Sequence, residues 1–172
     1  MKRHSSVFAL LLLATATAAS SEVSHDSGPK DVAVEKEASH LNDVGADLLS
    51  KGKVEQAIEL FTKAIRHNPN SAFAFYNRGT AYALRVQLEP AIADYSEAIR
   101  IDPDFAYAFM NRGVAYSMQG RFGDALGDLN KAIDLKPSKV DPYYNRALVF
   151  TKLGQLVEAA KDYTTEIGRA HV

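Results

Sequence analysis

Phe75-Tyr76-Asn77-Arg78-Gly79-Thr80-Ala81-Tyr82 is the stretch that decides how this chain folds, because it recurs. It returns 34 residues later as Phe109-Met110-Asn111-Arg112-Gly113-Val114-Ala115-Tyr116. After another 34 residues it returns as Tyr143-Tyr144-Asn145-Arg146-Ala147-Leu148-Val149-Phe150. A fixed period of this length is typical of a solenoid built from stacked pairs of helices.

The period covers four segments that align without gaps, with Ala38 at position 1 of the first segment. They are residues 38–71, 72–105, 106–139 and 140–172, and the last is one residue short. Position 20 is alanine in every segment, and position 32 is proline in the first three. Position 8 is glycine or alanine throughout. The repeats therefore stay in register from Ala38 onward.

The recurrent residues have physical roles in a pair of helices. Large residues recur at positions 4 and 11, which line one helix face together with position 7 or 8. The tiny residues at positions 8 and 20 let two backbones approach closely. Gly52, Gly120 and Gly154 stand at position 15, where a left-handed residue ends a helix, but the second repeat has Val86 there. Proline at position 32 ends the second helix. We predict an all-α fold, with helix A over roughly positions 1–14 and helix B over roughly positions 18–31.

The pattern of small, large and aromatic residues with a closing proline resembles the tetratricopeptide repeat family. The resemblance runs from Ala38 to Ile167. It implies a right-handed α-solenoid of antiparallel helix pairs, in which residues 38–172 form the repeat array. It also implies a concave groove that holds an extended peptide or a helix.

One stripe of helix A, at positions 2, 5, 6, 9, 12 and 13, is not needed for the repeat core. The resemblance implies that this stripe lines the groove. Asn77, Asn111 and Asn145 recur at position 6, and a primary amide pairs with any peptide bond as donor and acceptor. The alternative is that each amide satisfies a neighbouring backbone group. The predicted groove residues, with the ring of Tyr76 exposed, are Asn77, Asn111, Asn145, Phe73, Tyr76, Tyr107, Met110 and Tyr144. The alternative interpretation of the rings and of Met110 is that they pack against the next repeat.

The chain departs from one known binding mode of the family, a carboxylate clamp for chaperone tails that end in acidic groups. That clamp requires basic residues at positions 2 and 6 of its third repeat. The third repeat here has Tyr107 and Asn111 at these positions, and starting the clamp one repeat later gives Asp141 and Asn145. The clamp is therefore not expected.

Arginine at position 7 is interpreted as structural. Arg78, Arg112 and Arg146 occur in the repeats that carry Asp94, Asp128 and Asp162 at position 23. The first repeat lacks both charges, since it has Val44 and Leu60 there. We predict an ion pair between helices A and B of one repeat, with a further contact to the next repeat left open.

The N-terminal residues 1–19 are interpreted as a secretory signal peptide. Lys2 and Arg3 precede an apolar run, and Ala16-Thr17-Ala18 gives small residues for cleavage after Ala18 or Ala19. An uncleaved anchor is the alternative, although the run is short for a membrane span. Residues 20–37 are predicted to be a flexible linker. The protein is expected to be exported, either periplasmic or secreted, with no stable membrane anchor after cleavage.

Composition excludes several classes of function. The formal net charge of −1 gives no basis for nucleic-acid binding, and the absence of cysteine excludes disulfides and thiolate chemistry. The histidines form no metal-ligand spacing, and no nucleophile motif or phosphate-binding loop occurs. We expect no catalysis, no metal and no cofactor.

The predicted function is a non-catalytic scaffold that binds a peptide or protein segment in the groove. The alternatives are a self-associating assembly subunit, and an adaptor that presents substrates to an envelope protease or cell-wall enzyme. The last repeat departs from the pattern, with Glu166 at position 27, Gly168 in helix B and no closing proline. Three explanations of this departure remain open: a truncated gene product, self-association through that end, and a partner that completes the stack.

Overall fold

A computed structural model describes residues 29–135 and 142–170. Within these ranges the backbone forms helices and turns and no strand, so the fold is all-α as predicted. The signal peptide, the start of the linker at residues 20–28, and Asp141 lie outside the described residues. The elements are α1 (Pro29–Ser50), α2 (Val54–His67), α3 (Ala72–Leu84), α4 (Leu88–Ile101), α5 (Ala106–Met118), α6 (Phe122–Leu135), α7 (Pro142–Lys152) and α8 (Leu156–Ala170).

The helices follow the 34-residue alignment, two to each segment. We call α1, α3, α5 and α7 the A helices, and α2, α4, α6 and α8 the B helices. The A helices α3 and α5 begin at position 1 of their segments, Ala72 and Ala106. The hydroxyl of Ser71 caps α3 by accepting a hydrogen bond from the Ala74 amide.

The turns between A and B helices have the backbone that position 15 predicts. Gly52, Gly120 and Gly154 have φ angles of 73°, 76° and 74°, in the left-handed region. Val86 adopts the same conformation, with φ of 59°, although a β-branched residue is disfavoured there. The repeat geometry therefore overrides the local preference of Val86.

The prediction of a flexible linker up to residue 37 is wrong from Pro29 onward, because α1 starts there. Proline is well suited to the first position of a helix, where its missing N–H has no partner to lose. The residues that follow include good helix formers such as Ala33, Glu35 and Lys36. Val32 and Val34 are exposed, so helix propensity rather than burial accounts for this extension.

The chain divides into two compact units, one up to Gln87 and the other from Leu88. In the first unit α1, α2 and α3 pack on one another around Ala57, Phe61 and Ala81. Gly45 lets α1 approach α2, since a Cβ there would lie 2.7 Å from the Phe61 ring. The close approach predicted from the glycine at position 8 is confirmed in this unit.

The second unit contains α4 to α8, each packed on the next helix in sequence, with α5 also beside α7. Its core consists of Met110, Ala125, Leu129, Ala132 and Val149. Val149 comes from α7, so the core joins α5 and α6 to the following repeat. None of the helices in the described part of the chain is long and apolar enough to cross a membrane.

Candidate functional site

Arg112 and Arg146 fix their A helices to the B helices of the same repeats. Nε and Nη2 of Arg112 donate to Asp128 at 2.7 and 2.9 Å, and the same atoms of Arg146 donate to Asp162 at 2.7 Å each. Asp128 and Asp162 are only 8% and 5% exposed. Buried carboxylates need such partners, so the predicted pairing is confirmed for these two repeats. Arg78 and Asp94 belong to different units, and their pairing stays a prediction.

The paired carboxylates raise the pKa of both Arg112 and Arg146. Hydrogen bonds to Asp128 raise the pKa of Arg112 above its ordinary value, although burial acts in the opposite direction. The Asp162 carboxylate raises the pKa of Arg146 in the same way. The Arg112 guanidinium also lies 5.6 Å from the ring centroid of Phe109 and 5.8 Å from that of Tyr116. A guanidinium held in this way is a packing element and offers no free anion site.

The remaining nitrogen, Nη1, contacts the preceding repeat. Arg78 donates to Thr62 Oγ1 at 3.2 Å, Arg112 to Ser96 Oγ at 2.9 Å, and Arg146 to Asn130 Oδ1 at 2.6 Å. The three acceptors stand at position 25, which the sequence analysis did not single out. The sequence signal for this contact is a hydroxyl or amide residue that recurs 16 positions before each arginine. A further contact was left open for the next repeat, but Nη1 of the arginine makes it to the preceding repeat instead.

Asn77 is the predicted groove amide of the first unit. Its Nδ2 donates to Asn42 Oδ1 on α1 at a distance of 3.0 Å. The sequence analysis did not assign Asn42 to the groove. The amide of Asn77 therefore serves in part to join α1 and α3, through a side chain and not through the backbone group that the structural alternative named. The Asn77 side chain remains half-buried.

Asn111 and Asn145 lie in the second unit, on the neighbouring helices α5 and α7, and are 5% and 4% exposed. Among the described residues, Asn145 Oδ1 is a buried atom without a hydrogen-bond partner. A buried acceptor that lacks a donor costs about 1–3 kcal/mol. The fold thus keeps one amide oxygen unsatisfied on the predicted stripe.

Two of the predicted groove residues, Tyr76 and Met110, are buried. Tyr76 is 3% exposed, so the prediction that its ring is exposed is wrong. Met110 is 2% exposed and packs in the core with Leu129 and Val149. Because Val149 belongs to α7, position 5 of α5 is directed into the core that joins two repeats. For Met110 the alternative, packing against the next repeat, is the correct one.

The other predicted rings keep part of their surface accessible. Phe73, Tyr107 and Tyr144 are half-buried, and Tyr107 packs against the core of the second unit. The ring of Tyr144 meets the ring of Tyr163 edge-on, with centroids 5.8 Å apart. Tyr107 and Tyr144 are thus supported by neighbouring side chains and keep part of their surface accessible.

We define the α5–α7 face as the half-buried and buried side chains at positions 2, 6 and 9 of α5 and 5, 6 and 9 of α7. It consists of Tyr107, Asn111, Val114, Tyr144, Asn145 and Leu148. The face holds two amides and four uncharged apolar or phenolic side chains and lacks any formal charge. Within residues 32–135 and 142–165, no group of His, Asp or Glu side chains is arranged to hold a metal ion.

Comparison with known families gives one clear match. The sequence profile described as "TPR repeat" matches residues 45–84, 87–120 and 118–154, which is more than half of the chain. No curated protein matches the chain in sequence.

Solved structures share the fold. A crystal structure of MamA has 24% sequence identity and a TM-score of 0.73, with 83% of this chain and 84% of that chain covered. The first TPR of Spaghetti (RPAP3), bound to the HSP90 peptide SRMEEVD, has 22% identity and a TM-score of 0.68, with 70% and 95% covered. The second TPR of the same protein, with the same peptide, has 30% identity and a TM-score of 0.58, with 59% and 94% covered.

Proposed function

The chain belongs to the tetratricopeptide repeat family, and from this premise we propose that it is a non-catalytic scaffold that binds a peptide or protein segment on the α5–α7 face. The observation that carries the proposal is the buried, unsatisfied Oδ1 of Asn145. Because this oxygen is buried, a rotation of the Asn145 side chain has to bring it to the surface, where a peptide N–H supplies the missing donor. Binding then recovers part of the free energy that the unmet hydrogen bond costs. Because every peptide has such donors, this contact gives affinity without sequence specificity.

Specificity on this face comes from its uncharged side chains. Tyr107, Tyr144 and Leu148 are half-buried and offer apolar surface beside the amides. Rings that are already supported lose little side-chain entropy on binding, which favours them as contact residues. The ligand is therefore a segment with apolar side chains.

The two RPAP3 structures hold the acidic peptide SRMEEVD. The positions at which a carboxylate clamp requires cations carry Tyr107 and Asn111 here. Without those cations the desolvated carboxylates of such a peptide would remain unpaired on this face. Our proposal is thus a peptide-binding repeat protein with a ligand of different charge from that of the RPAP3 domains.

Selection of ligands from a displayed library of unstructured peptides tests the proposal. We expect the selected peptides to be poor in Asp and Glu and rich in apolar residues. Binding should weaken in Asn145→Ala and Tyr144→Ala but persist in Asn70→Ala, which removes an exposed amide from a loop. Equal binding by all three variants would contradict the proposed site.

The proposal also places the protein outside the cytoplasm, on the basis of the charged start, the apolar run and the small residues before Ser20. An adaptor for an envelope protease or cell-wall enzyme is one form that such a scaffold takes. Stacking of copies end to end is less favoured. At positions 3 and 10, α1 carries His40 and Asp47, both exposed, where the later A helices bury small apolar residues. Lys51, at position 14 in the turn after α1, is also exposed.

A further inference from the structure

Asn42 and Asn77 form an oriented pair of amides between α1 and α3 in the first unit. Asn77 Nδ2 donates to Asn42 Oδ1 at a distance of 3.0 Å. This bond uses the nitrogen of one amide and the oxygen of the other, so Asn42 keeps its N–H donors and Asn77 keeps its oxygen as an acceptor. Both residues are half-buried. The two helices therefore hold a donor and an acceptor next to each other.

Such a pair matches the backbone of an extended peptide better than that of a helix. In a strand, the N–H and the C=O of one residue point to the same side and can both bond to one neighbour. In an α-helix these groups bond to each other, except in the first and last turns. An extended segment on this surface can donate an N–H to Asn77 and accept a hydrogen bond from Asn42. The amide pair thus favours an extended ligand.

Position 6 of α1 carries a charge that the later repeats lack. Asp43 stands there, where the other three repeats have asparagine, and it is exposed. Two other carboxylates of α1 are engaged within the described residues. Asp47 Oδ2 lies 2.6 Å from Lys51 Nζ. Glu37 Oε1 lies 4.0 Å from His67 Nε2. Asp43 takes part in neither contact, and its carboxylate can only accept hydrogen bonds, so it is suited to a cation or another donor of a ligand.

Apolar side chains lie on the same stripe as the amides and the carboxylate. Ala46 and Leu49, at positions 9 and 12 of α1, pack on the core around Phe61 and are half-buried. Phe73, one turn before the amide of α3, is also half-buried. We define the α1–α3 face as the six side chains of Asn42, Asp43, Ala46, Leu49, Phe73 and Asn77. This face combines apolar surface, a pair of amides and a single negative charge.

We propose that the α1–α3 face binds an extended peptide segment that carries a lysine or an arginine. The cationic side chain pairs with Asp43, and the backbone of the segment bonds to Asn42 and Asn77. Apolar side chains next to the cation contact Leu49 and Phe73. Charge complementarity selects this class of partner, because an acidic segment would place like charges side by side.

The α1–α3 face belongs to the first unit and is a second binding surface, separate from the α5–α7 face of the second unit. The six side chains of the α5–α7 face carry no formal charge, whereas Asp43 gives the α1–α3 face one. The two faces therefore select different peptides, and one can bind its ligand whether or not the other does.

Selection of peptides from a displayed library of unstructured sequences, with the full chain as bait, tests this inference. We expect a pool rich in lysine and arginine that is no longer enriched when the bait is Asp43→Asn. This variant keeps the shape of the side chain and installs the residue that the other repeats have at position 6. A synthetic peptide from the basic pool, followed by fluorescence anisotropy, should bind the variant about three- to fivefold more weakly. The difference should disappear in about 1 M salt, which screens exposed charges.

Matched controls separate this face from other acidic sites and from the α5–α7 face. Asp47→Asn removes an exposed carboxylate of the same helix at position 10, outside the stripe, and should leave the affinity for the basic peptide unchanged. Asn145→Ala should also leave it unchanged, although it weakens the uncharged ligands of the α5–α7 face. The inference and the proposed function can therefore fail separately.

Several results overturn the inference. These are a selection without enrichment of lysine or arginine, equal affinity of the basic peptide for wild type and Asp43→Asn, and loss of its binding in Asn145→Ala. Sedimentation of the free chain gives a further check, since self-association that Asp43→Asn abolishes would assign the face to a second copy. Circular dichroism verifies that each variant keeps its helices.

Discussion

Arg112 Nη1 lies 2.9 Å from the hydroxyl oxygen of Ser96, on the helix that precedes its own repeat. The other side of the same guanidinium holds both oxygens of Asp128. One side chain thus joins three helices, α4, α5 and α6. The same arrangement recurs at Arg146, which links Asn130 and Asp162. The most repeated charged residue of the sequence is therefore part of the architecture.

We expect a large coupling free energy between Arg112 and Asp128 in a double-mutant cycle. Arg112→Ala leaves a buried carboxylate unpaired and should lower the free energy of unfolding by about 3–5 kcal/mol. The double variant with Asp128→Ala should lose about 1–3 kcal/mol less than the sum of the single variants. Urea unfolding measures both quantities. The exposed pair of Arg121 and Asp124 is the control, and its coupling should be much weaker because both side chains are solvated. Additive losses at Arg112 and Asp128 would contradict the pairing.

Replacing Val86 by glycine should stabilise the protein. Val86 has φ of 59°, and the left-handed conformation costs an L-residue with a Cβ about 1–2 kcal/mol, more than the added chain entropy of glycine. We expect thermal unfolding to shift upward by a few degrees. Gly120→Val is the reciprocal variant and should shift it downward. A lower melting temperature for Val86→Gly would show that the valine side chain has a stabilising contact.

Gly45 and Gly127 should respond to alanine in opposite directions. A Cβ at Gly45 would lie 2.7 Å from the Phe61 ring, so Gly45→Ala should destabilise the fold by about 1–3 kcal/mol. A Cβ at Gly127 meets no atom within 4 Å, and Gly127→Ala should stabilise α6 by about 0.5–1 kcal/mol. Denaturant midpoints compare the two. A neutral Gly45→Ala would mean that α1 and α2 can separate at no cost.

Asn145→Ala should separate stability from binding. The substitution removes a buried acceptor without a donor, so the free energy of unfolding should stay the same or rise by up to about 1 kcal/mol. Binding of a selected peptide should nevertheless weaken. Asn77→Ala is the comparison, because it breaks the hydrogen bond to Asn42 and should lower stability. A large loss of stability in Asn145→Ala would mean that its amide is structural.

The mature protein should begin at Ala19 or Ser20, since cleavage after Ala18 or Ala19 fits the sequence. Expression in a host with a secretory pathway, followed by intact-mass measurement of the exported chain, checks this expectation. Replacing Ala16 and Ala18 by lysine should block processing, because the peptidase accepts small residues there. Recovery of the full chain, still carrying Met1, in the cytoplasm would contradict export.

Much of the fold followed from local patterns. Gly52, Gly120 and Gly154 each end an A helix in the left-handed conformation that position 15 predicts. The pairs Arg112–Asp128 and Arg146–Asp162 were also predictable, because both charges are missing together from the first repeat. The start of α1 at Pro29 was not predicted, since its extension buries no apolar face and so has no periodicity.

The sequence by itself determined the helical repeat, its period and the ends of most helices, because these depend on residues close together in the chain. Only the tertiary structure decided which side chains of the predicted stripe remain accessible. Met110 shares a buried core with Val149 from the next A helix, and Asn77 is hydrogen-bonded to Asn42 from the previous one, whereas Asn145 Oδ1 is left without a donor. The periodicity of one helix gives the direction of a side chain, but its burial and its partners are set by the neighbouring helices.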